Sequence, residues 1–489
     1  METTVLGVVG AGAMGAGIAQ VGLAAGLRVV LFDLDPDAAA ASAELIKSRL
    51  ARMEEKGLLP KSAAKAAAGR LILASALEEF AQCDVVIEAI IERLEPKQAL
   101  FGQLEKIVGP KAILATNTSS LSVAAIASGC QDRSRICGLH FFNPVPLMKL
   151  VEVVTTPSTT DDVRQRAMVF SALIGKSPVA VKDGPGFLVN LQGRVFAGEA
   201  LAIVQERVAD PATVDRILRQ GAGFRMGPFE LMDLTGIDVN FAATTYIFQG
   251  YQNDPRLRTT TLHELMANAG LFGRKTGRGF FDYAPGEEMP VPVHPSVRPG
   301  TVNVTVADYC PPLHALVETA GLGSGGDAIL VAPLGEDCAS LCARTVLDPR
   351  KTVAVDLTGI DRRHLTLMSA IGGAGAAASV AEALRGADYT VEVIQDSPGF
   401  VLQRVLAMVA NLGCELAQIG VGTTHDIDLA MKLAQNYPMG PIEFGDWLGA
   451  RRVFGIMQQL QSSTGSDRYR PSLWLRRRAQ LGLSLYELP

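Results

Sequence analysis

One histidine in this chain has the neighbours that a general base needs. His140 lies in the segment Gly138-Leu139-His140-Phe141-Phe142-Asn143-Pro144, and Glu152 follows it twelve positions later on the next predicted strand. The chain has only six histidines in 489 residues. An imidazole backed by a carboxylate can remove a proton from an alcohol. The alternative is a core histidine whose hydrogen bonding is satisfied by a nearby acid.

Two further polar side chains could hold a substrate oxygen near this base. Ser119 lies in Asn117-Thr118-Ser119-Ser120, directly after a predicted strand, and Asn190 comes three residues after Phe187. When a hydride leaves a secondary alcohol, the hydroxyl proton must leave as well, so base, oxygen contact and hydride acceptor must meet. Ser119 could instead cap a helix, and Asn190 could bond locally within one.

The amino-terminal residues predict a site for the hydride acceptor. An apolar run, Val5–Val9, leads into Gly10-Ala11-Gly12-Ala13-Met14-Gly15, and a helix follows to about Ala25. A second strand, Arg28–Phe32, ends at Asp33. This strand, turn, helix and strand are the context that a Gly-x-Gly-x-x-Gly motif requires for dinucleotide binding.

Each residue of this motif has a physical role in binding a dinucleotide. Gly10 permits a tight turn, Gly12 lets the backbone approach a pyrophosphate, and Gly15 lets the helix pack against the strand. The helix amides then face the phosphates. Asp33 can accept hydrogen bonds from a ribose diol and would repel a 2′-phosphate, so we expect NAD rather than NADP.

Further apolar runs predict a doubly wound α/β sheet around this motif. They are Leu71–Leu73, 84–88, 112–115, 136–142 and 150–154. Ligands of such sheets bind beyond the carboxyl ends of the strands. A helical insertion at 39–68 carries basic side chains, which are either a solvated face or contacts to a second anionic ligand.

The composition argues against several classes of protein. A net charge of −5 without a basic tract disfavours nucleic acid or a membrane surface as a partner, and no apolar run is long enough to cross a membrane. Seven scattered cysteines predict reduced thiols, and no spacing of His, Cys or Asp indicates a metal site. We therefore expect a cytoplasmic protein.

The second half of the chain repeats motifs of the first half. Asp396–Phe400 resembles Asp183–Phe187, and Gly440–Glu443 resembles Gly227–Glu230. In each pair the two segments are the same number of residues apart, namely the distance in sequence from Pro185 to Pro398. We call this distance the repeat interval.

This repetition predicts the order of the domains. We expect an α/β Rossmann-type NAD-binding domain, an all-α domain, a Pro-rich linker, a reduced Rossmann-like unit without a glycine motif and a degenerate second all-α copy. Their predicted ranges are 1–183, 184–284, 285–300, 301–395 and 396–489.

Together these motifs resemble those of the 3-hydroxyacyl-CoA dehydrogenases. The likeness rests on six segments and covers residues 1 to about 283, and it returns over 396 to about 485. The segments are Gly10–Gly15, 117–121, 138–152, 185–190, 227–230 and 273–279. The resemblance implies NAD as cofactor, an acyl-CoA substrate and a place in fatty-acid β-oxidation or related catabolism.

The resemblance also implies roles for individual residues. His140 would be the base and Glu152 its partner, with Ser119 and Asn190 at the substrate oxygen. The remaining implied contacts are Asp33 to the adenine ribose, Glu92, Lys97 and Asn117 at the nicotinamide side, Lys275 at the cofactor from the helical domain, and Lys56 near coenzyme A. The neighbouring serine of the family is displaced here, where Ser48 and Arg49 stand.

The length of the chain resembles that of bacterial enzymes of phenylacetate-type catabolism. That resemblance implies 3-hydroxybutyryl-CoA or 3-hydroxyadipyl-CoA as the substrate. In the second copy Gln403 stands where Asn190 stands in the first. We expect the two helical copies to form an intrachain pseudo-dimer with a single active site, with further homo-oligomerisation left open. A dehydrogenase of a free hydroxy acid and a catalytically inactive NAD-binding structural protein are the alternatives.

Overall fold

A computed structural model describes residues 4–283, 302–307 and 310–488 of the chain. The predicted linker at 285–300 lies outside these residues. The chain divides into two compact units, one formed by Met1–Leu191 with Gly420–Gln435 and the other by Gln192–Ile419 with Asn436–Pro489. The boundaries predicted for five serial segments stay predictions.

The first unit is built on an eight-stranded sheet. Its strands are β1 Val5–Val9, β2 Arg28–Phe32, β3 Leu71–Leu73, β4 Val85–Glu88, β5 Ile113–Thr116, β6 Ile136–Phe141, β7 Leu150–Thr155 and β8 Ser177–Lys182. The strand order is β3-β2-β1-β4-β5-β6-β7-β8, and only the β6–β7 pair is antiparallel. The chain therefore turns back at β7, so that β6 and β7 form a hairpin inside an otherwise parallel sheet.

Helices alternate with the strands of this sheet along the chain, in the order that a Rossmann-like fold requires. They are α1 Ala13–Ala24, α2 Pro36–Glu55, α3 Ala63–Ala68, α4 Leu94–Ile107, α5 Val123–Ala127 and α6 Asp161–Leu173. The predicted insertion at 39–68 is two helices rather than one, because Gly57 adopts φ of 69° and Pro60 follows it in the turn. Buried aliphatic side chains of the strands and of α1 and α2 form one core.

The sequence prediction missed β8, and its composition explains why. Pro178 is the second residue of this strand, and a proline disfavours a central strand because it cannot donate to the ladder. The structure places β8 at the sheet edge, paired with β7 alone. An edge strand tolerates proline, so the signal that argued against a strand instead marked its position.

The second unit contains a smaller sheet of six strands. They are β9 Asn303–Val306, β10 Gly323–Ser324, β11 Ala328–Val331, β12 Thr352–Asp356, β13 His364–Ser369 and β14 Thr390–Val393, in the order β10-β9-β11-β12-β13-β14. Only β12 and β13 are antiparallel. The apolar runs 302–306, 328–331, 352–356 and 389–394 predict four of these strands, and no such run predicts β10 or β13. This sheet repeats the reversed hairpin of the first sheet with two strands fewer.

Two series of helices complete the described chain. The first series is α7 Val189–Gln205, α8 Pro211–Arg216, α9 Pro228–Thr235, α10 Ile237–Gly250 and α11 Thr261–Asn268. Three helices between the two series lie around the second sheet: α12 Pro311–Thr319, α13 Cys338–Thr345 and α14 Ala374–Gly386. The second series is α15 Leu402–Gln418, α16 Thr424–Gln435, α17 Pro441–Leu448, α18 Ala450–Thr464 and α19 Leu473–Leu481. Helix α15 begins one repeat interval after α7, and α16, α17 and α18 begin at the same interval after α8, α9 and α10.

One helix of each series packs on a sheet. In the first unit α16 lies against β7 and β8, and Lys182 N donates to Val421 O at 2.9 Å. In the second unit the π-helical turn Ile217–Gly221 that continues α8 lies against β13, and Gln395 N donates to Val208 O at 2.9 Å. Lys182 and Gln395 are one repeat interval apart, and so are Val208 and Val421. The two contacts are therefore equivalent.

The part of the chain that the structure describes contains no helix long and apolar enough to cross a membrane. Across the same residues no group of three or more His, Cys, Asp and Glu side chains is arranged to hold a metal ion.

Candidate active site

The predicted base and its partner lie directly opposite each other in the β6–β7 hairpin. His140 and Glu152 are register partners, and their side chains meet with Nδ1 2.6 Å from Oε2. His140 is 6% exposed and Glu152 is fully buried. Because Nδ1 is committed to the carboxylate, Nε2 is the ring atom left for a substrate proton. The adjacency follows the sequence prediction, while the catalytic roles stay predictions.

The other oxygen of Glu152 binds the start of helix α7. Leu188 N and Val189 N donate to Oε1 at 3.0 and 2.9 Å. These two amides would otherwise be unsatisfied at a buried helix end. The carboxylate therefore holds the imidazole with one oxygen and, with the other, the turn that carries Asn190.

Two phenylalanines enclose the imidazole. The Phe142 ring lies 4.5 Å from the His140 ring between centroids, and the Phe187 ring lies at 5.6 Å. Phe187 adopts φ of 48° after Gly186 at 78°, a tight left-handed turn. The motif Asp183–Phe187 is thereby explained: its turn places an aromatic ring on the base, and Asp183 accepts hydrogen bonds from Val123 N and Ala124 N at the start of α5.

Ser119 belongs to a loop that is organised by Glu92. Glu92 Oε1 accepts hydrogen bonds from Thr118 Oγ1 at 2.6 Å and from the backbone amides of Ser119 and Ser120 at 2.9 and 3.1 Å. Burial raises the pKa of Glu92, but the Thr118 hydroxyl and the Lys97 ammonium outweigh it and lower the pKa to about 2. The loop is therefore arranged around a permanent negative charge.

A buried lysine links Glu92 to the end of strand β4. Lys97 Nζ lies 2.5 Å from Glu88 Oε1 and 3.2 Å from Glu92 Oε2, and it is 1% exposed. Glu88 also accepts from Thr116 Oγ1 at 2.8 Å. Glu88 was not among the site residues predicted from the sequence. An acidic residue that ends an apolar strand was the available signal, because a buried carboxylate requires a partner.

Asn117 connects the ends of two strands. Its side-chain Oδ1 accepts a hydrogen bond from Phe141 N at 2.8 Å, and its backbone N–H donates to Glu88 O. Phe141 directly follows His140. The serine loop after β5 and the histidine of β6 therefore share one edge of the sheet, as the topology rule predicted.

The glycine loop has the space that a dinucleotide requires. A Cβ on Gly10 would lie 2.5 Å from Ala89 O, and one on Gly15 would lie 1.8 Å from Gly10 O, so both positions exclude a side chain. A Cβ on Gly12 would meet nothing within 4 Å. Gly12 and Ala13 are exposed at the mouth of the loop, and Met14 continues the first turn of α1. Open space beside a helix amino terminus suits a pyrophosphate.

Asp33 lies at this loop, directly after β2. Its Oδ2 accepts a hydrogen bond from Ala11 N at 2.6 Å, and its Oδ1 accepts one from Asp35 N at 3.0 Å. Backbone donors thus orient the carboxylate beside the glycine turn. Each oxygen keeps a lone pair for a ribose hydroxyl.

Three other predicted residues occupy different surroundings. Asn190 is the second residue of α7, one position after the amides that Glu152 binds. Lys56 is exposed at the carboxyl end of α2. Lys275 belongs to the second unit, where it pairs with Asp238 and lies 5.0 Å from the Phe272 ring centre. The first unit therefore gathers the predicted side chains except Lys275.

Two models of one family match most of the described chain and leave the described residues between 302 and 398 unmatched. The model of the 3-hydroxyacyl-CoA dehydrogenase NAD-binding domain matches residues 5–184. The model of the C-terminal domain of the same family matches twice, at residues 186–283 and 399–484.

Individual relatives show the same likeness. The chain is 37% identical over 482 residues to 3-hydroxyadipyl-CoA dehydrogenase of Escherichia coli K12, covering 97% of both chains. It is 38% identical over 283 residues to a probable 3-hydroxybutyryl-CoA dehydrogenase of Bacillus subtilis, covering 58% of this chain and 98% of that protein. A crystal structure of 3-hydroxybutyryl-CoA dehydrogenase from E. coli K12 substr. MG1655 matches with a TM-score of 0.89 at 36% identity, covering 100% of both chains. The chain therefore belongs to the 3-hydroxyacyl-CoA dehydrogenase family and is an NAD-dependent oxidoreductase.

Proposed function

We propose that this enzyme oxidises the 3-hydroxyl group of 3-hydroxybutyryl-CoA or 3-hydroxyadipyl-CoA to a ketone. The observation that carries the proposal is the His140–Glu152 pair, at 2.6 Å, in the hairpin next to the serine loop. The relatives named for these two substrates cover this chain well, and the residues of the site suit the removal of a proton from a secondary alcohol.

The base works through one free ring nitrogen. NAD, when bound, accepts the hydride from the carbinol carbon. His140 Nε2 takes the hydroxyl proton, and Glu152 stabilises the imidazolium that forms and keeps Nδ1 protonated beforehand. The buried setting strengthens this interaction, because the effective dielectric constant there is lower than in water. Such a base contributes on the order of 10²–10⁴-fold to the rate.

Two side chains are proposed to orient the substrate oxygen. The Ser119 hydroxyl lies on the loop held by Glu92, and Asn190 lies on the turn held by Glu152. Both loops are therefore anchored by carboxylates and not by the substrate. Anchoring of this kind reduces the entropy lost when the carbinol is aligned for reaction.

The resemblance to the family also implies contacts to the cofactor and to coenzyme A. We propose that Gly10, Gly12 and Gly15, with Ala13 and Met14, face the pyrophosphate, and that Asp33 binds the adenine ribose. Glu92, Lys97 and Asn117 are proposed at the nicotinamide side, with Lys275 as a further contact. Lys56 is proposed as a contact to a coenzyme A phosphate because it is a solvated cation on the helical insertion.

A direct assay separates the candidate substrates. NADH oxidation is measured with acetoacetyl-CoA, 3-oxoadipyl-CoA and the two free 3-oxo acids, side by side. We expect turnover with at least one thioester and at least a hundredfold less, in kcat/KM, with its free acid. Equal rates on acid and thioester would identify a hydroxy-acid dehydrogenase instead, and the absence of turnover with all four would contradict the proposed reaction.

We further propose that the chain is an internal duplication that forms a pseudo-dimer. Three observations support this proposal: the helices that recur at the repeat interval, the two matches to the C-terminal family model, and the equivalent contacts Lys182–Val421 and Gln395–Val208. The second sheet is then a reduced Rossmann-like unit, and the series of helices that follows it in the chain is the degenerate copy.

Helices α7 and α15, one from each series, meet at a buried ion cluster. Glu199 of α7 is fully buried and receives Arg404 of α15 and Arg468, and Tyr469 donates to it at 2.8 Å. Burial raises the pKa of Glu199, but Arg468 and Arg404 outweigh it and lower the pKa to about 2. Calorimetric titration with NADH tests the pseudo-dimer: one site per chain is expected, and two would contradict a single active site.

A further inference from the structure

Lys176 is a buried cation without an acidic partner. It lies between α6 and β8, is 8% exposed, and forms no ion pair with any described carboxylate. Its Nζ donates instead to two backbone carbonyls, those of Val145 and Met148, the second at 2.8 Å. Burial lowers the pKa of Lys176 to about 8. A buried ammonium costs free energy, so a site that keeps one requires an explanation.

Both carbonyls belong to the loop of the β6–β7 hairpin, which carries His140 and Glu152. Residues 142–149 connect β6 to β7, and the loop begins at Phe142, whose ring lies against His140. The carbonyl of Pro144 accepts from two amides inside the loop, and that of Lys149 accepts from Ser177 N. Lys176 therefore supplies the donors for loop carbonyls that the backbone leaves unsatisfied.

The same loop also packs on the helix of the glycine motif. A Cβ on Gly17 of α1 would lie 2.8 Å from the Val145 Cβ, so loop and helix are in direct contact. Lys176 thus holds a loop that lies between the base and the helix that follows the dinucleotide turn. A displacement of this loop would move Phe142 and, through it, the imidazole.

We infer that Lys176 is a positioning residue for the dehydrogenation, which clamps the β6–β7 loop so that His140 points at the carbinol. This inference rests on the proposed function. A misplacement of about 1 Å in a catalytic geometry costs up to about a hundredfold in rate. The ammonium does not touch the substrate, and its effect passes through the loop.

The test compares Lys176→Met with Lys176→Arg and with a matched control, Lys149→Met. Methionine keeps the length of the side chain without its donors, arginine keeps donors for both carbonyls, and Lys149 is an exposed cation on the same loop. At neutral pH we expect Lys176→Met to lower kcat about tenfold or more. We expect threefold or smaller changes in both KM values and a melting temperature close to that of the control. Lys176→Arg should recover most of kcat.

A second readout does not depend on turnover. The Nδ1 proton of His140, bonded to Glu152, should give a downfield NMR signal that is assigned by its loss in His140→Gln. We expect this signal to shift or broaden in Lys176→Met and to stay in place in Lys149→Met. If Lys176→Met does not fold, Lys176→Gln takes its place with the same expectation.

An unchanged kcat and an unchanged His140 signal in the folded variant would overturn the positioning role. A parallel loss of kcat, KM and stability that arginine does not rescue would do the same. If the wild type fails on every thioester, the proposed reaction is wrong, and the NMR comparison still decides the role of Lys176.

Discussion

The two sheets of this protein share a reversed hairpin, and only one of them carries the proposed catalytic pair. In the first sheet the hairpin holds His140 opposite Glu152. In the second sheet Leu365 stands one repeat interval after Glu152, and the facing strand, Thr352–Asp356, contains no histidine. The hairpin is thus present twice, and the proposed catalytic pair is present once.

The start of each sheet differs in the same way. After β1 the first sheet has the glycine loop, and a Cβ on Gly12 would meet only open space. After β9 the chain reads Ala307-Asp308-Tyr309-Cys310 and enters α12, with no glycine. The glycines that allow a backbone to approach a pyrophosphate closely are therefore missing from this part of the sequence.

In the second half, the residue that corresponds to Asn190 forms hydrogen bonds within the protein. Gln403, the counterpart of Asn190, is 2% exposed and donates to Asp356 Oδ1 at 3.0 Å and to Pro333 O at 3.2 Å. Its own Oε1 accepts from Gly335 N at 2.9 Å. Asn190 is only partly buried. The position that is proposed to bind substrate in the first half is therefore held, in the second half, by an amide whose hydrogen bonds go to the protein itself.

The largest expected effect comes from removing the base. His140→Gln should lower kcat by about 10²–10⁴-fold, because the hydroxyl proton loses its acceptor. NADH affinity, measured by fluorescence titration, should stay close to that of the wild type. His425→Gln is the control, since His425 is exposed on α16 in the second series of helices. Near-normal turnover of His140→Gln would contradict the assignment of the base.

The next effect concerns the cluster between the helical copies. Glu199→Leu introduces the residue found one repeat interval later, Leu412, and leaves Arg404 and Arg468 buried without their shared carboxylate. Loss of one partner from a buried pair costs about 3–5 kcal/mol in unfolding free energy. Glu415→Leu is the matched control. Glu415 is 21% exposed, and its partner Arg256 keeps Asp254, so a smaller loss is expected in denaturant titrations.

The same cluster predicts a pH dependence of stability. The pKa of Glu199 falls from an ordinary 4.5 to about 2 in the folded protein, so the folded state favours the carboxylate. Its contribution is therefore full above the unfolded pKa and is lost as the pH falls from about 4.5 toward 2. Glu199→Leu should show a shallower loss of stability over this range. An unchanged slope in acid would show that other carboxylates control it.

A smaller effect is expected for cofactor choice. Asp33→Ser removes the negative charge beside the ribose and should reduce the preference for NAD over NADP by on the order of tenfold. The ratio of kcat/KM values for the two cofactors measures this change. Asp35→Ser, on the neighbouring solvent-exposed turn, is the control. An unchanged ratio in Asp33→Ser would assign the selection to another group.

The smallest effect on turnover tests the two halves against each other. Asn190→Gln should lower turnover about tenfold because a longer amide displaces the substrate oxygen. Gln403→Asn should leave turnover unchanged and cost about 1–3 kcal/mol in unfolding free energy, since buried backbone groups lose their partner. Loss of turnover in Gln403→Asn would show that the second half of the chain takes part in the reaction.

Sequence patterns predicted most of the first unit. Seven of its eight strands were expected, because buried parallel strands appear as continuous apolar runs. The eighth begins Ser177-Pro178, and only its edge position explains that composition. Strand β10 has only two residues, too few to show a period, and in β13 the residues His364 and Thr366 interrupt the continuous apolar run by which the other strands were recognised.

The candidate site was predicted in part for a similar reason. His140 and Glu152 were selected because each is a polar residue within an apolar run, on neighbouring predicted strands. Ser119 and Asp33 were selected because each follows such a run. Lys176 and Asp183 were missed, because a lysine before a strand and an aspartate before a glycine turn are common in loops. Their importance comes from partners 28 to 61 residues away.

The sequence by itself determined most of the strand and helix pattern, the glycine motif, the repeated motifs and the residue types of the proposed dyad. These features are local, since they depend on spacing along the chain. Only the tertiary structure decided that the Glu152 carboxylate binds both the imidazole and the start of α7. It also decided that Lys97 and Lys176 are buried. Such contacts depend on how distant segments are brought together by packing, and burial is what gives each hydrogen bond and each charge its energy.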